Sequence, residues 1–453
     1  MTAKSITEEI TPEQVVDDIS TVEVSEPASV DAGKLVALKA QSQAKQMEQR
    51  MSAKIVAKKE RSLNLGVVGS GQAGGRLAVS FSKLGYDAIA INTANQDLKF
   101  LDLPDSNKLL LEYGLGGAAK DLEFGKAAAE TFRSDIAQMI NDKLLRSQVN
   151  VLCLSLGGGS GAGSCETLVD ILTETNKPLV VLTVLPMDSD DTQTKANALE
   201  TLSKLAGMAR DKKIANLIVV DNAKLETILS GVSQMEFFQV ANKTIVEPLD
   251  VFNTFSAMPS SVKGLDPTEF ARLLCDGEGL SVYGELTVPD YKDEVSIAKA
   301  VIDNLNNNLL ASGFDLKQAK YVGAIIVANA KVWKEIPSSS VNYAMAMVND
   351  LCSSPKGVFK GIYEVDIPEN VVKVYSMFSG LSLPDNRIDQ LKKDARELVQ
   401  KSKIKDETRN LNLKLETGTE ENVSAAQKIK DRISQKSSQF GKLVQNTVVD
   451  RRK

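Results

Sequence analysis

Residues 157–164 read Gly-Gly-Gly-Ser-Gly-Ala-Gly-Ser and directly follow the apolar run Val149 to Leu156. Such a stretch is poor material for the middle of a regular element, because glycine loses more backbone entropy on folding than any other residue. It is good material for a sharp turn that brings peptide N–H groups close to something else. After a strand and before a helix, those groups converge on one point, and the helix N-terminus adds its partial positive charge. That arrangement suits an anion. The bland alternative is a tight strand-to-helix turn with no ligand. A second cluster, Gly69-Ser70-Gly71-Gln72-Ala73-Gly74-Gly75, follows a second apolar run at 63–68. Two clusters at two strand tips favour a phosphate cradle over two unrelated turns.

The surroundings fit. Short apolar runs at 63–68, 88–92, 149–156, 179–185 and 216–220 alternate with helical patterns near 76–84, 121–146 and 164–175. That alternation builds βα units on a parallel sheet. Ligands bind such sheets at the carboxyl ends of the strands, where both clusters sit. The expected fold class is α/β: a Rossmann-like parallel-sheet domain over 62–233, a long central connecting helix over 234–257, and a second α/β domain over 258–384. Strand candidates in the second domain are 320–329, 357–365 and 371–379. The first 33 residues carry eight acids against Lys4 and are expected to be disordered. Residues 34–61 invert this, with eight bases against Glu48 and Glu60, and read as an exposed basic helix. It is either a solvated lead-in or a contact for nucleic acid, membrane or filament. Residues 385–453 read as one short helix, striped by Ile388, Leu391, Ala395 and Leu398, followed by a flexible basic tail.

Composition removes several chemistries. The chain has no histidine, which excludes Ser-His-Asp and Cys-His catalysis and the HExxH zinc motif. Its four cysteines form no CxxC pair, so neither a zinc cluster nor a disulfide framework is expected, and no protein-bound metal site is assigned. No apolar stretch approaches the roughly 18 residues that span a bilayer. A cytoplasmic protein is expected. There is also no GxxxxGK[ST], hence no P-loop lysine. Phosphate charge must then be met by amides, a hydroxyl such as Ser160, and Mg²⁺. The first cluster contains GxGxxG, but a dinucleotide site wants an acid about 20 residues on. Asn92 stands there, which disfavours a dehydrogenase.

At this point the sequence resembles the tubulin/FtsZ family. Gly157 to Ser164 is similar to its GGG[TS]G[ST]G signature, with Ala162 in the place of a small hydroxyl residue. Other loops match in order: Gly69–Gly75 the first glycine loop, Asn92–Asp97 the NTDxQxL loop with Ala94 for Asp, and Gly114–Ala119 the γ-phosphate loop. Residues 186–195 resemble the ribose-side loop, with Asp190 where FtsZ has Glu, and with Thr194 and Lys195 near its arginine. Residues 220–225 resemble PNDKL. The resemblance covers about 63–385 and implies GTP/GDP and Mg²⁺ as cofactors. It places Gly69, Gly71, Gln72, Ala73, Gly74, Asn92, Asn95, Gly116, Gly117, Gly157, Gly158, Gly159, Ser160, Gly161 and Asp190 around the nucleotide. Asn222 and Asn242 would read the guanine and Phe238 would stack on it; Lys243 stands where FtsZ has Asp.

The resemblance also implies that the active site is completed by assembly. The family's NxDxx[DE] loop enters the nucleotide site of the next subunit. Here Gly264-Leu265-Asp266-Pro267-Thr268-Glu269 lies at that place, with Asp266 and Glu269 as the catalytic acids and Gly264 for the Asn. Read locally, Asp266 and Glu269 also make a helix capping box with Pro267 at the first position; the two roles are compatible. The implied protein is a GTP-hydrolysing, head-to-tail homopolymer. The basic tail suggests DNA, or a DNA-binding adaptor, as cargo, as in plasmid- and phage-borne tubulins. A cell-division protein and a nucleotide-binding scaffold without hydrolysis are the alternatives.

Overall fold

The computed structural model describes residues 60–396, apart from 289–290, 294, 304–307 and 351. The acidic segment, nearly all of the basic helix, Leu398 and the basic tail lie outside the described residues. The described residues fall within one compact unit.

One sheet of ten strands runs through this unit in the order β3-β2-β1-β4-β5-β6-β7-β10-β8-β9. Its first half comprises β1 (Leu65–Ser70), β2 (Asp87–Asn92), β3 (Lys108–Leu110), β4 (Val149–Ser155), β5 (Leu179–Leu185) and β6 (Asn216–Asp221). All neighbours in it pair in parallel. β5 is buried along its whole length, which explains its unbroken apolar run: a strand covered on both faces has no polar side to show. The second half comprises β7 (Leu280–Val288), β8 (Tyr321–Ala328), β9 (Gly357–Glu364) and β10 (Val372–Leu381). β10 pairs antiparallel with both β7 and β8, whereas β8 and β9 are parallel.

The halves meet at β6 and β7 through only two paired positions, Leu217 with Leu280 and Ile218 with Ser281. Ser281 Oγ donates to Asn216 Oδ1 (2.6 Å), and Asn216 Nδ2 donates to Leu274 O (2.8 Å), so a buried polar stitch reinforces the short ladder. Alternate strand positions feed two cores. Val68, Ile89 and Leu152 face helices Leu122–Thr131, Arg133–Lys143, Cys165–Glu174 and Thr192–Arg210. Val67, Ala88 and Val151 share the other core with helices Gly71–Lys83, Phe237–Phe255 and Pro267–Cys275. Among the described residues no helix is long and apolar enough to cross a membrane.

Several elements differ from the sequence expectation. The helix expected over 76–84 starts at Gly71, so the first glycine cluster is its opening turn. The pattern over 121–146 is two helices broken at Phe132 (φ −103°, ψ 20°). Thr131 Oγ1 donates back to Ala127 O (2.8 Å) at the break, a bond that bends helices. β3 and β7 were not expected. β7 lacks an unbroken apolar run because Ser281, Glu285 and Thr287 interrupt it, and at Gly284 the backbone of Asn308 leaves no room for a Cβ.

Candidate nucleotide site

The two glycine clusters lie back to back at the tips of β1 and β4. Gly71 takes φ +71°, and a Cβ on it would come within 2.9 Å of Gly161 N. A Cβ on Gly161 would meet Ser70 O at 2.8 Å. Beneath them, Gly69 packs on the Gly74 carbonyl and Gly74 on that of Cys153, each too close for any side chain. Missing side chains therefore let two backbones touch and turn their peptides toward a common cleft. Ala73 sits half-buried and Gln72 exposed in the first turn of the helix. Gly157 packs against Thr194 and Gly159 against Ala118, whereas Gly158 has only Ser155 Oγ nearby, at 3.4 Å.

Hydroxyls knit these loops together. Ser160 Oγ is 2.6 Å from Thr93 Oγ1, and Ser70 Oγ is 2.8 Å from Ser164 Oγ. Gly116 and Gly117 both take positive φ, and Gly117 N donates to Thr93 O (3.0 Å), which brings the third loop to the second. Asn92 is buried and spends both polar ends on its own loop: Oδ1 accepts from Ala94 N, and Nδ2 donates to Asp97 Oδ2 (3.0 Å). Gln72 Nε2 donates to the other oxygen of Asp97 (3.0 Å). Asp97 is thus the hub of this corner, and sequence reasoning gave it no role. Asn95, two residues before it, is exposed.

Phe238 and Asn242, near the start of the central helix, share a cleft of about 490 Å³ with Arg76, Ser80, Gln239 and Lys243. Arg76 Cζ stands 5.2 Å from the Phe238 ring centroid, a cation on an aromatic face. The sequence motif stops one residue short of Arg76; its place on the second turn of the first helix was the available signal.

Asn222 and Asp190 lie in the turns after β6 and β5. Asp190 Oδ2 accepts from Met187 N (2.8 Å) and closes its own turn. Asp221 caps the helix that begins at Asn222, accepting from Ala223 N (3.1 Å). A residue far along the chain braces both turns. Arg387 donates to Asp188 Oδ1 (2.8 Å), Pro186 O (3.2 Å) and Asp221 Oδ1 (3.1 Å). Its Nε also stands 2.7 Å from Asp221 Oδ2, an ion-pair contact without hydrogen-bond alignment. Burial pushes the Asp221 carboxyl above the usual carboxylate range, against the pull of Arg387. Lys195, the cation expected beside the ribose, is turned away: buried, it donates to Asp188 O (2.7 Å) and Asp394 Oδ2 (3.1 Å). A hydrogen bond from Lys120 holds Asp191 down to about 2, bridging the γ-phosphate loop to the ribose-side loop.

Asp266 and Glu269 are elsewhere. They follow the far end of the central helix, whose 19 residues span about 28 Å at 1.5 Å per residue. Their capping box is complete: Asp266 Oδ1 accepts from Glu269 N (2.8 Å), and Glu269 Oε2 accepts from Asp266 N (3.1 Å). Asp266 is exposed. Among the described residues no group of three or more metal-ligating side chains occurs.

With this geometry in hand, comparison with known proteins is decisive for the first half. Residues 64–230 match the family model described as the Tubulin/FtsZ family, GTPase domain. These residues form a tubulin/FtsZ-family GTPase domain. The family's proteins are filament-forming GTPases that bind GTP or GDP. The chain is 27% identical over 325 residues to the tubulin-like protein CetZ of Pyrococcus abyssi, covering 70% of this chain and 85% of that one. It is 23% identical over 352 residues to the tubulin-like protein TubZ of Bacillus cereus, covering 71% and 80%. In fold it is similar to a GTPγS-form protofilament of Bacillus thuringiensis serovar israelensis TubZ: TM-score 0.67, 21% identity, 76% of this chain and 94% of that one. It is likewise similar to the type III plasmid segregation TubZ: TM-score 0.64, 20% identity, 76% and 94%.

Proposed function

We propose that this tubulin/FtsZ-type chain binds GTP in the glycine-lined cleft and hydrolyses it only between subunits assembled head to tail. The observation that carries the reading is the separation of parts. The acid loop follows about 28 Å of helix and is held against β9, at the opposite edge of the sheet from the β1 and β4 tips, so a subunit does not present its own acids to its own nucleotide. A second copy can. Its loop supplies carboxylates that orient or deprotonate the attacking water, and phosphoryl transfer depends on that positioning and on charge control.

The cradle fits a triphosphate: close-packed peptides, the Ser160 and Thr93 hydroxyls, and no lysine in the loop. Mg²⁺, when bound, neutralises phosphate charge; with no three-acid cage among the described residues, phosphate oxygens and water would be its main ligands. Large apolar side chains are exposed at both ends, Phe100, Leu115 and Met235 toward the nucleotide and Val262 beside the acids. That supports a heterologous, open-ended contact. The division of labour follows: 62–233 binds nucleotide, 234–257 connects, and 258–384 activates the neighbour. The segregation role of the TubZ relative, together with the basic tail, supports DNA segregation or positioning through DNA or an adaptor as the task, with cell division as the alternative.

One observation favours a scaffold without hydrolysis: both acids are already engaged in a helix cap. A single variant separates the readings. Asn caps helices as well as Asp, so Asp266→Asn keeps the cap and removes the carboxylate. GTP-driven light scattering should persist in this variant, while phosphate release per assembled subunit falls about 100-fold or more, as for loss of a general base. Phosphate release at the wild-type rate would overturn the catalytic assignment.

A further inference from the structure

Gly264 leaves the acid-bearing loop without a side chain to fix its path at that position, and no local packing requires a glycine: a Cβ would find its nearest neighbours at 3.8 and 3.9 Å. The loop is held instead from β9. Ile362 N donates to Lys263 O (2.8 Å), and Ser260 Oγ donates to Ile362 O (2.5 Å) while accepting from Val262 N and Lys263 N. The next residue on β9 goes further. The Tyr363 hydroxyl accepts from Leu265 N (2.7 Å) and donates to Leu265 O (3.4 Å). One phenol thus grips the peptide units on both sides of Leu265, and the second of these leads directly into Asp266.

Tyr363 is itself fixed. It is 2% exposed, its ring lies 4.7 Å from that of Phe255 at the end of the central helix, and its carbonyl accepts from Trp333 Nε1 (3.0 Å). It therefore ties three elements together at the point where the loop must be aimed.

We propose that Tyr363 is the positioning residue of the acid loop, setting the direction in which Asp266 and Glu269 are presented to the neighbouring subunit's GTP. The proposal rests on the reading above that these acids act on that GTP. It accounts for Gly264: with the backbone clamped by a phenol from β9, the loop needs no side chain of its own to hold its course. The consequence is specific. A misplacement of about 1 Å at a reacting group costs on the order of 10²-fold in rate, whereas nucleotide binding, at the other end of the central helix, is untouched.

The test is Tyr363→Phe, which keeps the ring and its packing and removes the hydroxyl. Phosphate release per assembled subunit should fall about tenfold or more, within the range that displacement of a reacting group produces. The dissociation constant for GTP, and the filament mass formed with a slowly hydrolysed GTP analogue, should match wild type. Ser260→Ala, which loosens the same seam without touching Tyr363, should lower turnover by a smaller factor, and it decides the matter if Tyr363→Phe yields no folded protein. Wild-type turnover per assembled subunit would overturn the proposal. So would a variant that loses melting temperature and assembly while each assembled subunit still hydrolyses normally, since that describes a merely structural hydroxyl. Asp266→Asn in the same assay keeps the two failures apart. If it hydrolyses normally, the catalytic reading itself falls. If it is inactive while Tyr363→Phe and Ser260→Ala hydrolyse normally, only Tyr363's role falls.

Discussion

The nucleotide end and the acid end of this molecule use glycine in opposite ways. At the strand tips, Gly71, Gly74 and Gly161 are imposed by the fold: another backbone occupies the space where a Cβ would go. At Gly264 the space is open. The first kind of glycine builds a surface out of peptide groups, and the subunit's own packing demands it. The second kind is demanded by nothing within the subunit, so its constraint comes from a neighbour or does not exist. One end is therefore a close-packed cradle of peptide groups, whereas the other is a local helix cap carried on a clamped loop.

Three substitutions sharpen or break that contrast. The largest effect is expected at Arg387, which cross-braces the receptor end. Arg387→Ala leaves Asp221 buried without its partner, and breaking such a pair costs about 3–5 kcal/mol. The sign of the pH dependence follows from the direction of the shift. Burial already raises the Asp221 carboxyl above its unfolded value, and loss of the guanidinium raises it further. Stability linked to a raised carboxyl is present at low pH and is lost as pH rises through the folded value. Urea unfolding should therefore show a larger deficit for Arg387→Ala at pH 8 than at pH 5. An equal deficit at both would mean that Asp221 is not left charged and buried.

A smaller effect is expected at Gly161. Gly161→Ala forces the β1 and β4 loops apart, at a cost of about 1–3 kcal/mol for overpacking, and weakens GTP binding at least tenfold by calorimetry. Unchanged stability and affinity would show that the close approach of Ser70 and Gly161 is dispensable. The smallest effect is expected at Gly264. Gly264→Ala should change stability by less than about 0.5 kcal/mol, as for an unconstrained surface site. If its unfolding is unaltered but GTP-dependent scattering is lost, the constraint on this glycine lies in the neighbouring subunit.

The legible parts of this chain were those written in consecutive residues. Apolar runs marked β1, β2, β4, β5 and β6, because parallel strands buried on both faces have no polar alternation to confuse them. The Asp266–Glu269 cap was readable because a capping box is a four-residue code. β7, which joins the two halves, escaped because Ser281, Glu285 and Thr287 interrupt its apolar run. The braces escaped for a deeper reason. Arg387 meets Asp221 across 166 residues and Tyr363 meets Leu265 across 98, and no local spacing announces either pairing. Asp97 was passed over because its work is to hold Gln72 and Asn92 rather than the ligand. The glycine loops at the strand tips were thus accessible from motif order, and the residues that hold them in place were not.

The length of the central helix has an arithmetic consequence. Because each copy carries a receptor at one pole and a reagent at the other, a row of n copies linked as proposed contains n − 1 completed junctions, and a solitary copy contains none. In such a row the copy whose cleft stays uncovered would keep its triphosphate unspent until another copy arrives. On that reading short rows spend proportionally less fuel than long ones, and one end of every row stays unspent.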